Sequence, residues 1–260
     1  VLSKSTRGYQ CIGAAVSELA SEPRPEPHRH TSKRNGPYAT VAAPHRARSA
    51  GVALTIDEIL VADPAAAWTA AGFGVDADGV CRVGSVRIRL VGREQGTGII
   101  GWSLREFDGT DMDGIPTAPS RSDPPPPGEH ANGVVDIDHL VMMSPDLDRT
   151  VAALGSAGVL PRRERDTELG GRPVRQIFYR LGAVILEVIG SPERRADGPA
   201  TLWGITYTVA DIDAGAAFLG ELTSRVKDAV QPGRRITTLR HQQLGMSVPS
   251  AFISAPILGR

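Results

Sequence analysis

The stretch that decides the fold is VDIDHLVMMSPDLDRTVAAL followed by GSAGVLPRRERDTELGGRPVRQIFYRLGAVILEVIG, residues 135–190. Its alternation of apolar and polar residues reads as strand, helix, strand, strand, strand. DIDHLVMM is the first strand. Ser144 and Pro145 open a helix, Leu147, Val151 and Leu154 share one of its faces, and Gly158 closes it. LPRRERDT, VRQIFYRLG and AVILEVIG follow as strands, with turns at Gly170-Gly171 and Leu181-Gly182. His139 lies in the first strand and Glu187 in the last. A carboxylate inside an otherwise apolar strand is costly unless it is paired, which makes Glu187 the most informative residue of the chain.

The same plan recurs on both sides. Downstream, TLWGITYTV reads as a strand, ADIDAGAAFLGEL as a helix, and VKDAVQ, RITTLRH and SVPSAFISA as strands. Upstream, VALTIDEILVA is a strand and Asp63 with Pro64 starts a helix ending at Gly72. GVCRV, SVRIRLVG and GIIGWSLREF then follow as strands. A shift of 65 residues places PDLD (145–148) on ADID (210–213), and a shift of 81 places TIDEIL (55–60) on DIDHLV (136–141). The chain is therefore an internal repeat of three βαβββ modules in an α+β fold: residues 52–116, 134–191 and 201–256. Residues 117–133, TAPSRSDPPPPGEHANG, hold four consecutive prolines and read as a stiff linker. Residues 1–51 are basic, rich in Pro, Ser and Ala, and read as a disordered leader.

Composition limits the function classes. Of 260 residues, 41% are hydrophobic and 22% charged, with a net charge of zero, so no global bias toward nucleic acid or membrane exists. The charge is uneven: residues 1–50 hold eight Lys/Arg against three Glu. The basic segment could serve an acidic partner, but it lacks the interleaved aromatics of a single-strand binder. Two distant cysteines, Cys11 and Cys81, make neither a disulfide framework nor a thiolate metal site, and a cytoplasmic protein is the simplest expectation. No apolar run approaches a membrane span. No nucleophile elbow, phosphate loop, dinucleotide fingerprint or zincin motif is present.

IDHLVMMSPDLDRTVAAL, followed by RQIFYRLGAVILEVIG, resembles the vicinal oxygen chelate superfamily, the glyoxalase and bleomycin-resistance fold; LWGITYTVADIDAGAAFL is similar to the opening of the partner module. The resemblance spans residues 134–256, with a weaker echo over 52–108. It implies paired βαβββ modules whose mixed sheets curl into a cup, holding a divalent metal (Zn, Mn, Ni, Fe or Mg) on His, Gln or Glu from the first and last strand of each module. On those positions His139 and Glu187 match ligands, while the third module offers Gly204 and, near the other position, Ala251, neither with a ligating side chain. Glu58 aligns with His139 and is the candidate third ligand, supplied by the first module or by a second chain. An odd number of modules makes a homodimer the natural pairing.

Two roles stay open for each candidate. His139 is a metal ligand or an imidazole hydrogen-bonded inside the cup. Glu187 is a metal ligand or general base, or a buried ion-pair partner of an Arg such as Arg175 or Arg180. Gln176, Phe178 and Arg180 share a strand face and contact substrate if that face is the interior; otherwise Ile177 and Tyr179 point inward. Trp102 and Trp203 are expected in the core, and Arg162, Arg163 and Arg165 as guards of an exposed sheet edge. The function implied is binding of a small organic molecule in the cup, with metal-dependent lyase or isomerase chemistry, or metal-free sequestration of a ligand.

Overall fold

Alternation alone explains most of the strands. In β3 (Val86–Leu90), Val86, Ile88 and Leu90 are buried while Arg87 and Arg89 are half-exposed, the pattern of a sheet with one wet face. The structure, a computed structural model, describes residues 53–256. The basic leader, residues 1–51, lies outside the described residues. Among the described residues, no helix is long and apolar enough to cross a membrane.

Strands β7 (Val134–Met143), β8 (Arg163–Leu169), β9 (Arg172–Leu181) and β10 (Val184–Gly190) form one module with helix α2 (Leu147–Ser156). β10 returns parallel to β7, and the β8–β9 and β9–β10 pairs are antiparallel. The next module repeats this with β11 (Thr201–Val209), helix α3 (Ile212–Leu219), β12 (Lys227–Asp228), β13 (Arg235–Thr238) and β14 (Ser250–Ser254), where β11 and β14 are parallel. The repeated acidic motif has a direct structural role. Asp146 caps α2 through the Arg149 amide, and Asp211 caps α3 through the amides of Asp213 and Ala214, each satisfying backbone donors that a first turn leaves free. Antiparallel pairing of β7 with β11 joins the modules into an eight-stranded sheet in the order β12-β13-β14-β11-β7-β10-β9-β8.

The N-terminal region departs from the expected single module. β1 (Thr55–Val61), helix α1 (Ala65–Ala70), β2 (Val80–Val83) and β3 form a reduced module with β1 parallel to β3. β4 (Ile99–Arg105), β5 (Asp111–Met112) and β6 (Ile115–Ser120) form another, without a helix, with β4 parallel to β6. β1 and β4 pair antiparallel, as β7 and β11 do, giving a six-stranded sheet in the order β2-β3-β1-β4-β6-β5. The described residues thus form four modules in two pairs, and the reason for expecting a second chain to complete an odd one falls away. The linker expected from residue 117 also begins later. Thr117 to Ser120 belong to β6, which tolerates Pro119 because β5 pairs only with Ile115 and Pro116 and leaves the rest of the strand at the sheet border. Nor is the remainder a free spacer: Gly128 donates to the Arg82 carbonyl at 2.9 Å, and the Gly74 amide donates to His130 Nδ1 at 3.0 Å.

One apolar cluster runs through both sheets. Trp68 of α1 lies 5.0 Å from Phe73, and Phe73 lies 5.0 Å from Tyr207 of β11, so the N-terminal helix packs against the back of the eight-stranded sheet. Asp63 does not cap α1; Pro64 occupies that position. The Asp63 carboxylate instead accepts from Trp68 Nε1 at 3.1 Å and from the Ser247 amide at 2.9 and 3.0 Å. It ties α1 to the loop that precedes β14.

Candidate active site

The inner face of the eight-stranded sheet encloses a cavity of about 350 Å³, at the small end of ligand-binding pockets. Strand register arranges its floor in two rows. One runs Arg163–Phe178–Glu187–Val141–Gly204 across β8, β9, β10, β7 and β11. The other runs Arg180–Ile185–His139–Thr206–Ala251–Thr238 across β9, β10, β7, β11, β14 and β13. Every one of these residues lines the cavity. His139, Glu187, Gln176, Phe178 and Arg180 are thus brought to one face. Tyr179 and Ile177 are buried at 1% and 3% exposure, and by strand alternation their side chains pack on the opposite side of β9.

A polar chain crosses this floor. Arg165 Nε donates to Gln176 Oε1 at 2.8 Å, and Gln176 Nε2 donates to Glu187 Oε1 at 2.6 Å. Glu187 Oε2 lies 3.7 Å from His139 Nε2, and His139 Nδ1 lies 2.9 Å from Asp138 Oδ2. Asp138 Oδ1 is in turn 2.7 Å from the Arg234 guanidinium, with both side chains only 7% exposed. Adjacent residues of a regular strand point to opposite faces, so Asp138 and His139 meet only because β7 is irregular here. The register with β11 jumps from Thr206↔His139 to Tyr207↔Ile137, leaving Asp138 as the extra residue of a bulge that re-aims its side chain. Asp138 escapes sequence analysis for that reason; an Asp beside the strand His is the sole visible signal.

Burial sets the electrostatics. Glu187 is 3% exposed. Desolvation pushes its carboxyl above the usual carboxylate range, against the opposing pull of His139, Arg165 and the Gln176 hydrogen bond. Burial would raise Asp138 as well, but the hydrogen bond and charge of His139, together with Arg234, hold it below that range. Neither Arg175 nor Arg180 pairs with Glu187: Arg175 binds Asp166, and Arg180 donates to the Ala183 carbonyl. Because the folded-state pKa of Glu187 lies above its unfolded value, its contribution favours folding in acid and is lost as pH rises through the folded pKa. Glu187→Gln removes that titration. Urea melts between about pH 4 and 8 should show the variant gaining on wild type with rising pH; a difference independent of pH would contradict this electrostatic assignment.

The other expected ligand is elsewhere. Glu58 sits in the N-terminal sheet, where its carboxylate accepts from Arg89 Nε at 3.0 Å, and it does not border the cavity. The cup therefore provides His139 and Glu187 as side-chain donors, facing Gly204 and Ala251. Gly204 cannot simply regain a ligand, since a Cβ there would lie 2.9 Å from the Pro249 carbonyl oxygen, which already accepts from the Ile205 amide at 3.0 Å. Among the described residues no group of three or more His, Cys, Asp or Glu is placed to hold a metal ion. His139 and Glu187 fall short of the three protein ligands of a catalytic zinc site, so the donor set does not fit zinc. Trp203, expected in the core, instead lines the cavity, whereas Trp102 is buried and donates to Thr117 Oγ1 at 2.8 Å.

No family model and no curated protein sequence matches the chain. Solved structures do. A mutant of 4-hydroxymandelate synthase from Streptomyces coelicolor aligns with a TM-score of 0.55 at 15% identity, covering 79% of this chain and 94% of the other. A fusion of a xylose isomerase-like TIM barrel with 4-hydroxyphenylpyruvate dioxygenase aligns at 0.54 and 14% identity, over 82% of this chain and 50% of its own length. An extradiol ring-cleaving dioxygenase from B. fuscum aligns at 0.50 and 11% identity, over 79% and 72%. The matches to 4-hydroxymandelate synthase and the dioxygenase extend over both sheets, as two paired sets of modules require. With the parallel first and last strands of each module and the curled eight-stranded sheet, they show that this chain has the fold of the vicinal oxygen chelate superfamily.

Proposed function

We propose that the protein binds a small organic molecule in the cup of its eight-stranded sheet and that Glu187 and His139 move a proton on it, as an isomerase or lyase that uses no metal. The observation that carries this reading is the buried Glu187 carboxylate, which lines the cavity 3.7 Å from His139 Nε2. Asp138 lies 2.9 Å from Nδ1 and orients the imidazole, whose Nε2 faces Glu187 and the cavity. A carboxyl raised by burial and facing an imidazole across the cavity floor is placed to exchange a proton with a bound ligand. Gly204, Thr206 and Ala251 line the facing wall with small side chains, which leaves room for the reacting end of a ligand.

Two measurements test this on the full chain. Elemental analysis after incubation with zinc, manganese, nickel, iron or magnesium should find far less than one metal per chain; near-stoichiometric metal lost in His139→Ala would sink the metal-free mechanism. Carbon acids screened in deuterium oxide by proton NMR should lose an exchangeable C–H signal with wild type, and Glu187→Gln should slow that exchange by about 100-fold or more while still binding the ligand. A second reading, binding without chemistry, is favoured by the blank positions Gly204 and Ala251. It prevails if a ligand binds the cup and Glu187→Gln leaves its proton exchange unchanged.

A further inference from the structure

The charges on β8 are sorted by face. Arg163 and Arg165 alternate with Glu164 and Asp166 along the strand, so the cations and acids project to opposite sides of the sheet. The arginines border the cavity and those two acids do not. A strand edge guarded against aggregation needs charge but not this sidedness. Arg165 is held on Gln176. Arg163 places its guanidinium 5.8 Å over the Phe178 ring, and among the described residues neither Arg162 nor Arg163 forms an ion pair with a carboxylate. Four arginines border the cavity against two carboxylates, Glu168 and the deeply buried Glu187. The opposite wall is apolar, with Trp203, Val230, Ile236 and Ile253.

We infer that the cup takes an amphipathic organic anion: its carboxylate or sulfonate meets Arg162 and Arg163 at the β8 side, and its apolar body lies along Phe178, Trp203, Ile236 and Ile253. This rests on the reading of the cup as a ligand site and adds the class of ligand. In the register row, Arg163 and Glu187 are separated by one strand, β9, which places their backbones about 10 Å apart at sheet spacing. The head group and the carbon presented to Glu187 therefore sit at different ends of one small molecule.

The test uses two fluorescent probes with the same ring system on the full chain: 8-anilinonaphthalene-1-sulfonate, an anion, and N-phenyl-1-naphthylamine, its neutral counterpart. The anion should bind at least about tenfold more tightly, and Arg162→Ala with Arg163→Ala should weaken it about tenfold while changing the neutral probe less than about twofold. Sodium octanoate should displace both probes from wild type at lower concentration than octanol does. Ala251→Trp, which fills the floor of the cavity, should abolish binding of both, with circular dichroism checking that it folds. Equal affinity for the two probes, or a double variant that does not discriminate between them, overturns the anion assignment while leaving the cup as a binding site. Undiminished binding of both probes in folded Ala251→Trp, or failure of octanoate to compete with either, places the probes elsewhere and overturns the cup reading with it.

Discussion

Asp138→Ala should lower the unfolding free energy by about 3–5 kcal/mol, because it leaves a buried guanidinium without its carboxylate. Arg234 is 7% exposed and its other contact is a 2.8 Å hydrogen bond to the Ser254 carbonyl, which does not neutralise the charge. For a chain of this size such a loss corresponds to a midpoint roughly 10 °C lower in a thermal melt. The pH dependence gives the effect a signature. Asp138 is held below the usual carboxylate range, so the stability it supplies is present above its unfolded pKa and is lost as pH falls through the folded one. The gap between wild type and Asp138→Ala should therefore be widest near neutrality and close in acid, opposite in direction to the Glu187→Gln series. A neutral-pH difference below about 1 kcal/mol, the scale of an exposed pair, would show that the Asp138–Arg234 contact is not the buried charge pair described.

The divided behaviour of these two carboxylates explains which parts of the site were legible in the sequence. Glu187 was visible because a charge interrupts an apolar strand, and the alternation of Ile185, Glu187 and Ile189 placed it on a face. Asp138 was hidden because period-two alternation sends it away from His139; only the bulge in β7 brings the two together, and a bulge depends on pairing with β11. Arg234 belongs to a turn after Pro232-Gly233, and nothing local indicates that its side chain reaches across to β7. Glu58 shows the converse. It aligns with His139 in its own module, but modules combine sheet by sheet, and β1 belongs to the six-stranded sheet. An equivalent position in a repeat is therefore not a shared site.

The module count failed on similar grounds. β4 was read as the last strand of one module because it follows β3 with suitable alternation. In the structure it opens the next module, and the parallel partner that would reveal this is β6, a strand carrying Pro116 and Pro119. Pro119, with the prolines that follow it, reads as linker until pairing of β6 with β4 carries the strand to Ser120. The helices Leu147–Ser156 and Ile212–Leu219 were readable because both begin with matching acidic caps, and the strands around them keep clean alternation.

Asp63→Ala should cost about 2–4 kcal/mol, since it leaves the buried Trp68 indole N–H without a partner, at about 1–3 kcal/mol, and also removes the acceptor of the half-buried Ser247 amide. Asp63 is fully buried at 0% exposure, and so is Trp68, whose indole N–H would lose its carboxylate inside the aromatic cluster of Phe73 and Tyr207. The Ser247 amide would be released at the same time. Ser247 also holds Gly98 through its hydroxyl at 2.8 Å, and it leads directly into Pro249, Ser250 and Ala251 of the cavity wall. The variant should therefore loosen the cup as well as the fold: urea melts should show the loss of stability, and probe binding to the folded fraction should weaken with it. Asp63→Asn, which keeps one side-chain oxygen for the Ser247 amide, should recover part of both. An Asp63→Ala protein with wild-type stability and unchanged probe binding would mean that α1 and the β13–β14 loop are held together by apolar packing alone, and that the N-terminal pair of modules does not brace the cup.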